Sequence, residues 1–151
     1  MARTLWLLRH GNAEAHGRCE DFDRSLTARG ERQARAAGRA FVRLGVEFEQ
    51  VFTSPRVRAL DTARLACAEL GIEPVVHAPL SGGFDVRDAA ELLASVSGAV
   101  LLVGHEPDLS ELAGALTGAH IGMKKGGIAV IGDGVLLALL RPREIELVAG
   151  L

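Results

Sequence analysis

Two kinds of apolar pattern alternate along the chain. Short, mostly apolar segments at Arg3–Leu8, Phe48–Thr53, Glu73–His77 and Ala99–Val103 predict β-strands, Arg3–Leu8 as a buried one and Ala99–Val103 as a continuous apolar run. Between them, apolar residues recur at helical spacing. Ala34, Ala37, Gly38, Phe41 and Leu44 mark one such face, with Thr27 as N-cap and Gly45 just past the end. Ser54-Pro55 predicts a second helix start, a capping serine followed by proline at the first helical position, with the helix running to about Leu70 and ended by Gly71. Asp85–Val96 and Pro107–Leu116 read as two further helices. The last third changes character: Ile128–Ile131 and Val135–Leu140 flank Asp133-Gly134, a tight-turn signal for an antiparallel hairpin. Ile145–Val148 reads as a final short strand.

Strand and helix in repeated alternation, with strands apolar throughout, predict an α/β fold: a three-layer α/β/α sandwich around a mostly parallel sheet. The late hairpin adds antiparallel strands at one edge. In open sheets of this kind, ligands bind beyond the carboxyl ends of the strands.

Composition narrows the choice. At 151 residues the chain suits one domain, and at that size roughly 68–70% of the unfolded surface is buried without metal or disulfide staples. Hydrophobic residues make up 48%, which excludes a mostly disordered chain. The net charge of −2 gives no whole-surface attraction to polyanions. Arg29, Arg32, Arg35, Arg39 and Arg43 line one side of the first helix, but no aromatics interleave, so the reading is a solvated face and no nucleic-acid partner. Cys19 and Cys67 form no spaced motif and read as free thiols in a reducing cytoplasm. The longest apolar run, Val135–Leu140, is too short to span a bilayer, and no membrane partner is expected.

Three polar stretches follow predicted strands: Arg9-His10-Gly11, "SPRVRA" (54–59) and "GHEP" (104–107). All would face one crevice. Two histidines and two or three arginines gather there with no carboxylate cluster, so no metal and no cofactor are expected. That inventory suits phosphoryl transfer, which is catalysed mainly by positioning and by neutralising charge on the equatorial oxygens. Arginine forks bind oxyanions without losing their proton. A neutral imidazole is available near pH 7 to attack phosphorus. Gly11 is expected to let the chain pass close to the anion.

Together "LLRHGNAE", "LTARGERQA", "FTSPRVRALDTA" and "LLVGHEPDL", with a weaker echo in "MKKGGIAVI", resemble the histidine-phosphatase superfamily, the phosphoglycerate-mutase-like enzymes. The small size, the "DFDRSLTARG" stretch and the short passage from Pro79 to Asp88 resemble its SixA-type phosphohistidine phosphatases, which lack the inserted cap of larger relatives. The resemblance implies that His10 is the nucleophile, that Arg9 and Arg58 clamp the phosphoryl oxygens, and that His105 completes the pocket. It places Asn12 near the phosphate and Arg24 at the mouth. Arg56, two residues from Arg58 on a helix, is expected at the rim or in solvent.

One departure bears on substrate. Ester phosphatases and mutases of the superfamily usually carry a glutamate acid in the segment that here reads "PLSGGFDV", where Asp85 is the only carboxylate. Asp85 either approaches the site or caps the next helix. Glu106 either orients His105 or serves as an acid at a helix start. An alcohol leaving group needs a proton in the transition state, whereas a phosphorylated imidazole leaves more readily. The expectation is therefore a phosphohistidine phosphatase acting on a histidine-phosphorylated protein. The alternatives are a small-molecule phosphomonoesterase of the sugar-phosphate type, a non-catalytic phosphate-binding module, and a mutase. His16, His77 and His120 read as exposed or structural, and Cys19 with Asp21 and Asp23 lacks metal-ligand spacing.

Overall fold

The computed structural model describes residues 3–151. Six strands form one sheet: β1 (Thr4–Arg9), β2 (Phe48–Thr53), β3 (Val75–Val76), β4 (Ala99–Gly104), β5 (Ile128–Gly132) and β6 (Val135–Leu140). Their order is β3-β2-β4-β1-β5-β6. The first four run parallel; β5 pairs antiparallel with β1, and the β5–β6 hairpin closes one edge. At its turn Asp133 and Gly134 have φ of 50° and 72°, the two left-handed residues that such a hairpin turn requires.

Five helices cover both faces: α1 (Ala28–Leu44), α2 (Val57–Leu70), α3 (Val86–Leu93), α4 (Asp108–Thr117) and α5 (Pro142–Ala149). The pleat of β1 assigns its side chains to two cores. Trp6 and Leu8 face the layer of α1, α2 and α5, while Leu5 and Leu7 face α3 and α4. In the first core, Trp6, Phe41 and Phe48 meet edge to face at 5.1–5.7 Å, a preferred aromatic geometry. The passage from β3 to α3 holds only a 3-10 turn, Ala78–Ser81, so no cap domain stands there. Among the described residues no helix is long and apolar enough to cross a membrane.

The structure corrects the sequence reading in four places. The segment expected as a last strand at 145–148 is helix α5: Pro142 lies in its first turn, Glu144 accepts from the Arg141 amide and guanidinium, and Ile145 and Ala149 are buried four residues apart. Helix α2 starts at Val57, because Ser54 Oγ accepts from Arg56 N within the preceding turn. Strand β3 keeps only two paired residues at the exposed edge. Leu44, expected on the buried face of α1, is exposed where the helix meets its glycine end.

Candidate active site

The register of the parallel strands brings their carboxyl ends level. Leu8 and Thr53 both pair with Val103, and Arg9 pairs with Gly104. The next residues are His10, Ser54 and His105, and the backbone bonds His10 N to Gly104 O and Ser54 N to Val103 O carry the alignment one step further. An open cavity of about 520 Å³ lies there, lined among others by Arg9, His10, Arg24, Arg58, His105 and Lys125.

His10 is 5% exposed. Its Nδ1 lies 2.7 Å from the carbonyl of Gly11. A carbonyl only accepts, so Nδ1 carries the proton and Nε2 keeps its lone pair. The loop that sets this geometry is pinned: Gly11 N donates to Thr62 Oγ1 at 3.1 Å, and Asn12 N donates to Gln33 Oε1 at 2.8 Å. A Cβ on Gly11 would lie 2.6 Å from Gly30 O, and one on Gly30 would lie 2.0 Å from Asn12 O. Glycine at position 11 is thus required for packing against the start of α1.

Two guanidinium groups flank the imidazole. Arg58, in the first turn of α2, donates from Nη1 to the Asp21 carbonyl at 2.7 Å and from Nη2 to Asp21 Oδ2 at 3.2 Å. Arg9 donates from Nη1 to Met123 O at 2.8 Å. The Nε atoms of both are buried without a partner. Burial lowers both pKa values, but a guanidinium keeps its proton in a protein. His105 offers Nε2 to Ser54 Oγ at 2.7 Å, and its Nδ1 is also buried without a partner. Burial is the main reason that His10 is pushed down to about 4, with Arg58, Arg9 and Lys125 adding repulsion and the Gly11 carbonyl opposing. Burial likewise takes His105 down to about 3, helped by His10 and Arg58. Both rings are therefore neutral at pH 7.

Asp21 was missed by the sequence reading. It binds Arg24 Nε at 2.9 Å, Arg56 Nη1 at 2.6 Å and Arg58 Nη2 at 3.2 Å. Desolvation works against its charge, yet Arg58 and Arg24 outweigh it and hold the carboxyl below its usual range. Only the three-residue spacing of Asp21 and Arg24 was visible in the sequence; Arg56 and Arg58 are brought by the fold. Lys125 was missed too, since a lysine before a strand carries no local signal.

The other candidates divide. Arg24 is buried at the mouth, where Nη1 donates to Glu14 O. Arg56 lies at the rim, its Nε donating to Ser81 O. Asn12 is not brought to the His10 cavity: its Oδ1 accepts from Thr27 Oγ1, and the residue lines the neighbouring hollow. Asp85 is also outside, capping α3 by accepting from Arg87 N and Asp88 N. Glu106 reaches the cavity but accepts from Ser110 N and Oγ in the first turn of α4. His16 is exposed near Asp21, His120 is exposed, and His77 packs edge-on against Phe52 and Phe84. Among the described residues no three His, Cys, Asp or Glu side chains group as metal ligands.

A three-layer α/β sandwich thus carries an imidazole and two guanidinium groups at the carboxyl ends of its parallel strands, a set chemically suited to an oxyanion. The chain belongs to the histidine phosphatase superfamily (branch 1), whose model matches residues 5–81. It is 39% identical over 140 residues to an uncharacterized protein of Picosynechococcus sp., covering 86% of this chain and 85% of that one. It is 41% identical over 78 residues to a 2,3-bisphosphoglycerate-dependent phosphoglycerate mutase of Methylobacterium radiotolerans, a match over 50% of this chain and 37% of the mutase. The fold is shared with the protein histidine phosphatase SixA complexed with tungstate, at a TM-score of 0.85, 23% identity and coverage of 94% and 99%. It is shared as well with a phosphoserine phosphatase of Entamoeba histolytica in complex with 3-phosphoglyceric acid, at a TM-score of 0.67 and 16% identity over 91% and 96% of the two chains.

Proposed function

We propose that the protein is a phosphohistidine phosphatase that passes the phosphoryl group through a covalent phosphohistidine at His10. One observation carries the reading: the Gly11 carbonyl holds Nδ1–H of a buried, neutral His10, leaving Nε2 as the nucleophilic nitrogen in a cavity with Arg9 and Arg58. In the first step the Nε2 lone pair bonds to phosphorus as the P–N bond to the substrate imidazole breaks, and the departing ring takes a proton from water. In the second, water bonds to phosphorus as the P–Nε2 bond breaks and Nε2 recovers its lone pair; the proton that water loses neutralises the hydroxide left by the first step, and inorganic phosphate leaves. Arg9 and Arg58 neutralise the equatorial oxygens in both transition states. The unpartnered Nδ1 of His105 completes the pocket when a protonated phosphoryl oxygen or a proton arriving with the anion satisfies it.

Substrate class follows from the acid and the mouth. Asp85 caps α3, and Glu106 is engaged with Ser110. Neither is aligned to protonate an alkoxide, and an imidazole needs less help to leave. The uncapped entrance suits a side chain presented on a protein surface. A second reading, a small-molecule phosphomonoesterase, is favoured by one feature: exposed Glu14 lines the cavity and could supply the proton.

A phosphohistidine peptide and a panel of sugar phosphates, assayed with the wild type and Glu14→Gln, separate the two. Faster turnover of the peptide, insensitive to Glu14→Gln, supports the first. Faster turnover of sugar phosphates that collapses in Glu14→Gln establishes the second. An acid-labile adduct absent in His10→Ala is expected either way, and stoichiometric phosphate binding without any adduct or release would indicate a non-catalytic module.

A further inference from the structure

Beside the His10 cavity, and sharing Arg9 and Lys125 with it, lies a second open hollow of about 470 Å³. Its charge is one-sided. Arg29 comes from the first turn of α1, Lys124 and Lys125 from the segment before β5, and Arg141 and Arg143 from the start of α5, with no acidic side chain in the lining. Glu144 pairs with Arg141 and lies 3.7 Å from Arg143. Among the described residues Arg29, Lys124 and Lys125 make no ion pair. The whole chain is net negative, at −2, so this positive face is a local concentration rather than a reflection of composition.

We propose that this basic face docks an acidic protein surface beside the phosphorylated histidine of the substrate and so presents that histidine to His10. The inference rests on the phosphohistidine reading and adds the charge of the partner. Exposure of the cations decides the kind of ligand. Arg29, Lys124, Lys125 and Arg143 are all exposed and rise from three separate segments. Arg9, the one half-buried cation, already belongs to the catalytic cavity. A second phosphate of a small molecule needs convergent, preorganised donors. Long mobile cations around an open hollow instead supply long-range attraction and register for a surface rich in carboxylates. The hollow shares Arg9 and Lys125 with the His10 cavity, so an acidic stretch lying in it places a neighbouring side chain beside the cavity that holds the nucleophile.

Two phosphohistidine peptides test this, one flanked by Asp and Glu and one by Ser and Gly. They are assayed with the wild type and with the triple variant Arg29→Glu/Lys124→Glu/Arg143→Glu. Arg29 and Arg143 lie in first helical turns, where an acid is well tolerated. Wild type is expected to favour the acidic peptide in kcat/KM by about tenfold or more at low salt. At about 1 M salt, where the Debye length is about 3 Å, the preference should shrink. It should vanish in the triple variant, whose hydrolysis of phosphoramidate stays at the wild-type rate and reports an intact fold. Equal turnover of both peptides by the wild type overturns the proposal. Hydrolysis of neither peptide overturns the substrate reading alone. Docking is then read by fluorescence anisotropy of the unphosphorylated acidic peptide: binding lost in the triple variant upholds it, and equal binding overturns it. Tighter patch-dependent binding of inorganic pyrophosphate or of a single-stranded oligonucleotide overturns the assignment to a protein.

Discussion

The rings of His10 and His105 lie 5.3 Å apart, centroid to centroid, at an interplanar angle of 53°. Each is tethered through a different nitrogen, His10 by Nδ1 to the Gly11 carbonyl and His105 by Nε2 to the Ser54 hydroxyl. The untethered atoms are Nε2 of one ring and Nδ1 of the other. Two imidazoles this close cannot both charge cheaply in a buried site. With Arg9 and Arg58 alongside, the pair remains neutral until an anion arrives.

The protonation state of His10 sets the acid limb of the reaction. His10 at about 4 is unprotonated across the neutral range. The plateau in kcat/KM is therefore expected to extend down to about pH 5 and to fall only as the pH nears 4. Initial rates and an NMR titration of the two ring protons measure it. An acid limb near pH 6.5, the ordinary imidazole value, would mean that His10 is solvated. His10→Asn should lower turnover by about 10⁴-fold or more, as loss of a nucleophile does elsewhere.

Stability responds to the same groups in a fixed direction. The unfolded imidazoles titrate near 6.5, the folded ones at about 4 and about 3. Between these values the unfolded chain binds more protons, so stability is fully present above pH 6.5 and is lost as the pH falls toward 4 and 3. Urea unfolding of the apo protein at pH 7.5 and pH 4.5 should differ by about 5 kcal/mol on this account. The difference should shrink in His10→Asn/His105→Asn. Tungstate should shrink it as well, because a bound anion favours the protonated rings. A difference that survives in the double variant would have to arise in other groups.

The sequence carried the site further than it carried the edges of the fold. The ends of β1, β2 and β4 were legible because a polar stretch follows each, Arg9-His10-Gly11, "SPRVRA" and "GHEP", and those stretches hold Arg9, His10, Arg58 and His105. Helix α5 was misread because Ile145–Val148 is apolar enough for a strand, and the bidentate grip of Glu144 on Arg141 depends on a rotamer that no pattern displays. Asp21 was passed over for a different reason. Its partners lie 35 and 37 residues away, and only closure of the sheet brings them together. Gly11 was noticed, but its neighbour was not: the contact with Gly30 is a tertiary fact that makes both glycines obligatory.

That contact can be broken directly. A Cβ at position 30 would lie 2.0 Å from Asn12 O, on the backbone that holds the His10 loop. Gly30→Ala should cost about 2 kcal/mol or more by overpacking, seen as a lower Tm, and should reduce kcat by displacing the loop. Gly82→Ala is the control. Gly82 has extended backbone and nothing within 4 Å of a new Cβ, so stability and rate should hold. A Gly30→Ala protein with wild-type kcat would separate the loop's packing from its chemistry.

Asp21 offers the sharpest separation of charge from shape. Its side chain is 44% exposed, so as an ordinary surface ion pair it would contribute little. The geometry argues otherwise. One carboxylate meets three arginines, and its backbone carbonyl takes Arg58 Nη1. Asp21→Asn retains the volume and the carbonyl but removes the charge that aims Arg58. The expected result is a split: kcat falls about tenfold or more, because a misaimed guanidinium stabilises the transition state poorly. Inhibition by free phosphate strengthens at low salt, because the cavity has become more positive. Asp21→Glu should recover part of kcat while restoring the phosphate inhibition constant. A purely structural role would lower Tm and active fraction without tightening phosphate, and an Asp21→Asn protein with unchanged kcat and unchanged inhibition would leave Arg58 aimed by the Asp21 carbonyl alone.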